Sequence, residues 1–132
     1  MPEINVWAVL AAGVSSMILG GLWYSPVLFG KAWSAASGVT EEKAKSANMG
    51  KTMGTAFVLA VIGAVVFAMF LGPKPELMFA TMAGLSAGLC WVAGSFGINY
   101  LFEHRSLRLF LINGGYHTLQ YTLIGLVLGL WH

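Results

Sequence analysis

Charge is what this sequence has least of. Only 9% of its 132 residues are Asp, Glu, Lys or Arg, against 58% hydrophobic. A soluble domain carries roughly a quarter charged residues. So few charges cannot cover a surface in water, which excludes an ordinary soluble globule and points to a lipid-facing exterior. Cysteine is nearly missing. Cys90 stands alone, which excludes an intrachain disulfide, and within its apolar run it is expected to pack as a small apolar side chain. The net charge of +2 is too small and too localised for nucleic-acid binding. Catalytic groupings are missing as well. There is no Gly-rich phosphate loop, no paired carboxylates and no Cys–His pair, and Ser15 and Ser16 lie mid-run with no predictable base. The sequence predicts a protein that is not an enzyme and uses no cofactor. No His or Cys lies at ligand spacing from His117 on its helix, so no metal site is expected.

Long uncharged runs are abundant. Four of them cover residues 4–24, 52–71, 77–101 and 109–131. Each is about the ~20 residues that a helix needs to cross a hydrocarbon core of ~30 Å. In lipid each backbone N–H must be satisfied within its own segment, so these runs are expected to be helices. The fold class predicted is an all-α membrane protein. It is a single transmembrane domain over residues 1–132, a four-transmembrane-helix bundle with a short cytoplasmic helix between spans one and two. The first run has no Lys or Arg before it, only Glu3, and is expected to be a retained helix rather than a signal peptide.

Orientation follows from the basic residues. Lys31, Lys43, Lys45 and Lys51 lie between spans one and two, and Arg105 and Arg108 between spans three and four; the opposite side has Lys74. The positive-inside rule then puts both chain ends outside the cytoplasm, with the spans in the inner (plasma) membrane. Trp7 and Trp131 are expected at the outer interface, and Trp23, Tyr24 and Trp33 at the inner one. Ser25-Pro26 ends span one. Ser34 to Gly38 is small and loop-like. Thr40 is a candidate N-cap with Glu41 and Glu42 in the first turn. Glu103, Arg105 and Arg108 form a cytoplasmic ion-pair cluster at the membrane edge, where the arginines can also hold anionic headgroups.

Small residues recur four apart in every span: Ala12, Ser16 and Gly20; Ala56, Ala60, Ala64 and Ala68; Ala80, Gly84 and Gly88; Gly125 and Gly129. Such ridges let helix backbones approach closely. They are expected to pack the bundle, and their number suggests a homo-oligomer. Polar groups inside spans are costly and by default functional. Asn113, His117 and Gln120 share one helical face, as do Ser95, Asn99 and Glu103. If Leu101 and Arg108 are level, Asn113 is within reach of Ser95 or Asn99 and His117 lies near Trp91 and Val92. The two faces then meet in one seam. Either the seam fixes helix register, or it lines a ligand site.

Further residues carry a resemblance. Gly20-Gly21-Leu22-Trp23-Tyr24-Ser25-Pro26 is followed by Phe29-Gly30-Lys31 and Trp33, then Ala47-Asn48-Met49, Asn113-Gly114-Gly115-Tyr116-His117 and Gly129-Leu130-Trp131. Over essentially the whole chain this resembles the bacterial family called domain of unknown function 1761. The resemblance implies a small multi-span membrane protein of unassigned function. Trp23, Tyr24 and Lys31 read as a membrane anchor, or the segment from Ser25 to Trp33 folds over the bundle end. Two functions stay open. One is binding or transport of an unidentified small solute or lipid along Ser95, Asn99, Asn113, His117 and Gln120. The other is a structural or partner-binding role through the small-residue faces. Membrane lipids are expected partners under both.

Overall fold

The computed structural model describes residues 4–39, 42–43 and 48–131. Among them are five helices: α1 (Val6–Trp23), α2 (Gly30–Ser37), α3 (Met49–Leu71), α4 (Leu77–Glu103) and α5 (Leu107–Leu130). The described residues form no strand. Polar caps set the starts. The Asn5 side chain accepts from the Trp7 and Ala8 amides at 3.0 and 3.2 Å, Asn48 from Lys51 at 3.0 Å and Ser106 from Leu109 at 3.2 Å. Each satisfies a donor that the first turn leaves open. α1, α3 and α4 are long and apolar enough to cross a membrane.

The four long helices run alternately up and down. One end gathers Ile4, Leu71 and Leu128 around a common cavity. The other holds α2 and the α4–α5 turn, and with them Lys31, Arg105 and Arg108; it is called the basic end here. α5 is the centre of the bundle and packs on every other helix. Its buried residues include Leu109, Ile112, Gln120, Ile124 and Leu128. α3 is peripheral, burying only Ala60, Ala64 and Phe67.

Most of the small-residue ridge positions pack within the bundle, while Ala56 is exposed. Ala8, Ala12 and Ala64 meet in the core beside Ile124. Gly84 lies against the Tyr121 carbonyl, and Gly125 against that of Ala80. A Cβ on Gly88 would come within 2.7 Å of the His117 carbonyl oxygen. These are backbone-to-backbone approaches that only glycine permits.

α4 is not a uniform α-helix. Ala87–Ala93 winds as a π-helix, a wider turn frequent at functional sites. The segment from Ser34 to Ser37, expected as loop, is the second half of α2. The helix stops where Gly38 adopts a left-handed φ of 79°, the conformation that glycine supplies at helix ends. α2 is thus a helix that the sequence reading did not anticipate; of the short helix expected after Thr40, Glu42 and Lys43 are described, and both are helical. The N-cap expected at Thr40, with Glu41, lies outside the described residues.

Candidate functional site

The polar side chains gather where the end of α1, the last turns of α4 and the first half of α5 meet. Asn113 stands at the junction. Its Oδ1 accepts from the Tyr24 hydroxyl and its Nδ2 donates to the Tyr100 hydroxyl, both at 2.7 Å. Both ends of the amide are engaged by tyrosines from two other parts of the chain. One turn on, His117 Nδ1 and Gln120 Oε1 are 2.7 Å apart, with the ring nitrogen as donor because the carbonyl oxygen can only accept. His117 stacks on Phe96, with centroids 5.0 Å apart at 13°, and meets the Tyr116 edge at 4.8 Å. The Tyr116 hydroxyl donates to the Ser16 carbonyl at 3.0 Å. Among the described residues no buried side-chain nitrogen or oxygen lacks a partner, as lipid requires.

Of the seam residues expected from sequence, Asn113, His117 and Gln120 lie together here. Ser95 and Asn99 do not join them. Both are exposed, and the Ser95 hydroxyl donates back to the Trp91 carbonyl at 2.7 Å. The π-helix is the reason. Counted along an unbroken α-helix from Gly84 and Gly88, Ser95 and Asn99 fall on the side facing α5. The π turns take up more residues, so the helix beyond them is advanced by about one position. Ala93, Phe96, Gly97 and Tyr100 take the inward face instead, against Gly114, His117, Phe110 and Asn113. The depth pairing moves too, and the His117 backbone lies against Gly88 rather than level with Trp91 and Val92.

Ser95 and Asn99 instead line a shallow open groove on the outside of α4, with Trp91, Val92 and Phe96. Its volume is about 380 Å³. Phe96 belongs to both places. It lines the groove, and its ring stacks on His117 on the inner side.

Trp23 and Tyr24, expected as interfacial anchors, turn into the protein. The Trp23 indole N–H donates to the Ile112 carbonyl at 2.8 Å, and Tyr24 packs edge-on against Trp33 and Tyr116. A buried indole or phenol needs a polar partner, and α5 supplies both. The Trp-Tyr pair thus fastens the α1–α2 segment to α5, and α2 folds over the basic end. Lys31 is exposed on it. The expected ion-pair cluster does not form among Glu103, Arg105 and Arg108. His104 turns the chain in a left-handed conformation at φ 57°, and Arg105 reaches across to donate to the Ser37 carbonyl at 3.3 Å. That places a cation at the C-terminus of α2, where the helix dipole favours it. Tyr24, Tyr100 and Tyr116 are the partners that sequence reasoning missed as part of the polar cluster. The Trp-Tyr and Tyr-His elements contain two of the three.

Compared with known proteins, the sequence matches the family described as protein of unknown function (DUF1761) over residues 7–129. No curated protein and no solved structure matches it.

Proposed function

We propose that the chain, which belongs to the DUF1761 family, is a four-span, non-catalytic membrane protein that binds a lipid or small amphipathic solute laterally, in the groove of α4. The observation that carries the reading is the Asn99 carboxamide. It is exposed in a groove with two aromatic rings, on a helix apolar enough to span a membrane. Hydrocarbon offers no partner for an amide, so such a group is costly there without a ligand. Trp91 and Phe96 supply apolar walls, and Asn99 supplies one donor and one acceptor for a headgroup, ester or hydroxyl. Behind the wall, the pairing of His117 with Gln120 holds Phe96 in place.

For a zwitterionic lysophospholipid with a photoreactive group near its glycerol, crosslinks are expected to concentrate on Trp91 to Asn99. Asn99→Leu should lower them about fivefold, the equivalent of one hydrogen bond of about 1 kcal/mol, without lowering the melting temperature. Labelling that is unchanged in Asn99→Leu, or equal along the exposed face of α3, rejects the reading.

The fourth span in this reading is α5. At 1.5 Å per residue its 24 residues reach about 36 Å. Its polar side chains, which lower its hydropathy, are paired toward the bundle centre. The basic end then faces the cytoplasm by the positive-inside rule. In a Cys90→Ala background, cysteines replacing Arg105 and Trp131, which flank α5, should react with a membrane-impermeant maleimide from opposite sides. Reaction of both from one side would refute the four-span arrangement.

A further inference from the structure

A second cavity lies away from the groove, at the end of the bundle opposite the basic one. It measures about 490 Å³ and is half open. Ile4, Ala68, Leu71, Leu128 and Trp131 give it apolar walls, and Lys74 brings a cation to its edge. The other described cations belong elsewhere: Arg105 and Arg108 to the α4–α5 turn and the first turn of α5, Lys31 to α2, Lys51 to the start of α3, with Lys43 in the connection before it. Among the described residues the nearby carboxylate, Glu76, is exposed and not part of the wall. Asn5 also lines the space. Its side-chain oxygen caps α1, leaving its amide nitrogen as a donor.

Lys74 has a second unusual property. Its φ is 51°, in the left-handed region where a residue with a Cβ is strained. It also precedes Pro75, which disfavours helical backbone at that position. Glycine would relax this turn, yet a lysine occupies it, between Pro73 and the buried Pro75. Strain of this kind suggests that the side chain is wanted where the turn puts it.

We propose that this cavity holds an anionic phospholipid of the membrane, its phosphate on Lys74 and the start of an acyl chain against Ala68, Leu71 and Leu128. The volume is that of a ligand pocket. Among the described lining residues the charge is single and positive, and the walls are apolar. Trp131, half exposed at the rim, stands where an amphipathic ring borders headgroups. This site shares with the groove only the placement of the chain in a membrane, and depends on no residue of the groove.

The test is lipid retention by the full chain in native mass spectrometry, after reconstitution in an equal mixture of phosphatidylglycerol and phosphatidylcholine. The chain is expected to retain the anionic lipid about fivefold over the zwitterionic one, the usual effect of one lysine at an anionic surface. Lys74→Gly should bring the ratio to near one while raising the melting temperature, because it relieves the turn. Lys74→Arg should keep the ratio, and Ala68→Phe, which fills the cavity, should lower retention of both lipids. Asn99→Leu should leave the ratio unchanged. A preference that survives in Lys74→Gly overturns the proposal. Displacement of the lipid by inorganic phosphate alone also overturns it, since the acyl-chain wall would then contribute nothing.

Discussion

Gly84→Val is expected to unfold the α4–α5 hairpin. The added Cβ would fall on the Tyr121 carbonyl and within 2.9 Å of its carbon. Those are backbone atoms of a helix in the middle of the bundle, so no side-chain rotation relieves the overlap. Inserting a methylene where side chains can adjust costs about 1–3 kcal/mol; here the two helices must separate, and the cost should exceed that range. Gly125→Val should behave alike, since its Cβ would meet the Ala80 carbonyl. Gly94→Ala is the contrasting substitution. A Cβ there meets nothing within 4 Å, and alanine is the better helix former by about 0.5–1 kcal/mol. It should stabilise slightly. Unfolding titrations from mild detergent into dodecyl sulfate read both signs. If Gly84→Val titrates with the wild type, the close approach of α4 and α5 is wrong.

The apolar runs that announced long helices were legible because lipid leaves the backbone no alternative. The ridges Ala80, Gly84, Gly88 and Gly125, Gly129 were legible for the same reason, since small residues four apart are what close helix packing needs. The facing of α4 was not legible. Helical counting assumes a constant rise and twist, and seven π-helical residues break that assumption without a proline to mark the place. The sequence Ala87–Ala93 is apolar throughout and reads as well for α as for π. Once the register slips by about one residue, Asn99 exchanges the seam for the groove and Tyr100 takes the seam. The direction of Trp23 and Tyr24 was hidden for a different reason. An amphipathic ring at the end of a span suits a membrane interface and a polar pocket equally. What decides between them is the carbonyl of Ile112 and the amide of Asn113, some ninety residues away in sequence.

Asn113 makes that dependence measurable. Asn113→Ala should cost about 1–3 kcal/mol, since it strands two half-buried tyrosine hydroxyls that had partners. Tyr24→Phe and Tyr100→Phe should each cost less, because each leaves the amide one of its two bonds. The pairwise couplings Tyr24–Asn113 and Tyr100–Asn113 are expected at about 0.6 kcal/mol, the average for such bonds between membrane helices, and at most about 1.7 kcal/mol. The two tyrosines do different jobs, which separates a joint from a mere sum of contacts. Tyr24 fastens the α1–α2 segment to α5, while Tyr100 fastens the last turns of α4. Trypsin cleavage after Lys31 should therefore quicken in Tyr24→Phe and Asn113→Ala and stay slow in Tyr100→Phe. Couplings below about 0.3 kcal/mol, within the additivity expected of independent sites, would mean that the amide bridges nothing. The fold of α2 over the basic end would then rest on Trp23, on the packing of Tyr24 against Trp33 and on Arg105 at the α2 terminus. A coupling of the expected size with uniform proteolysis would instead keep the bond and remove its role as the fastening of α2.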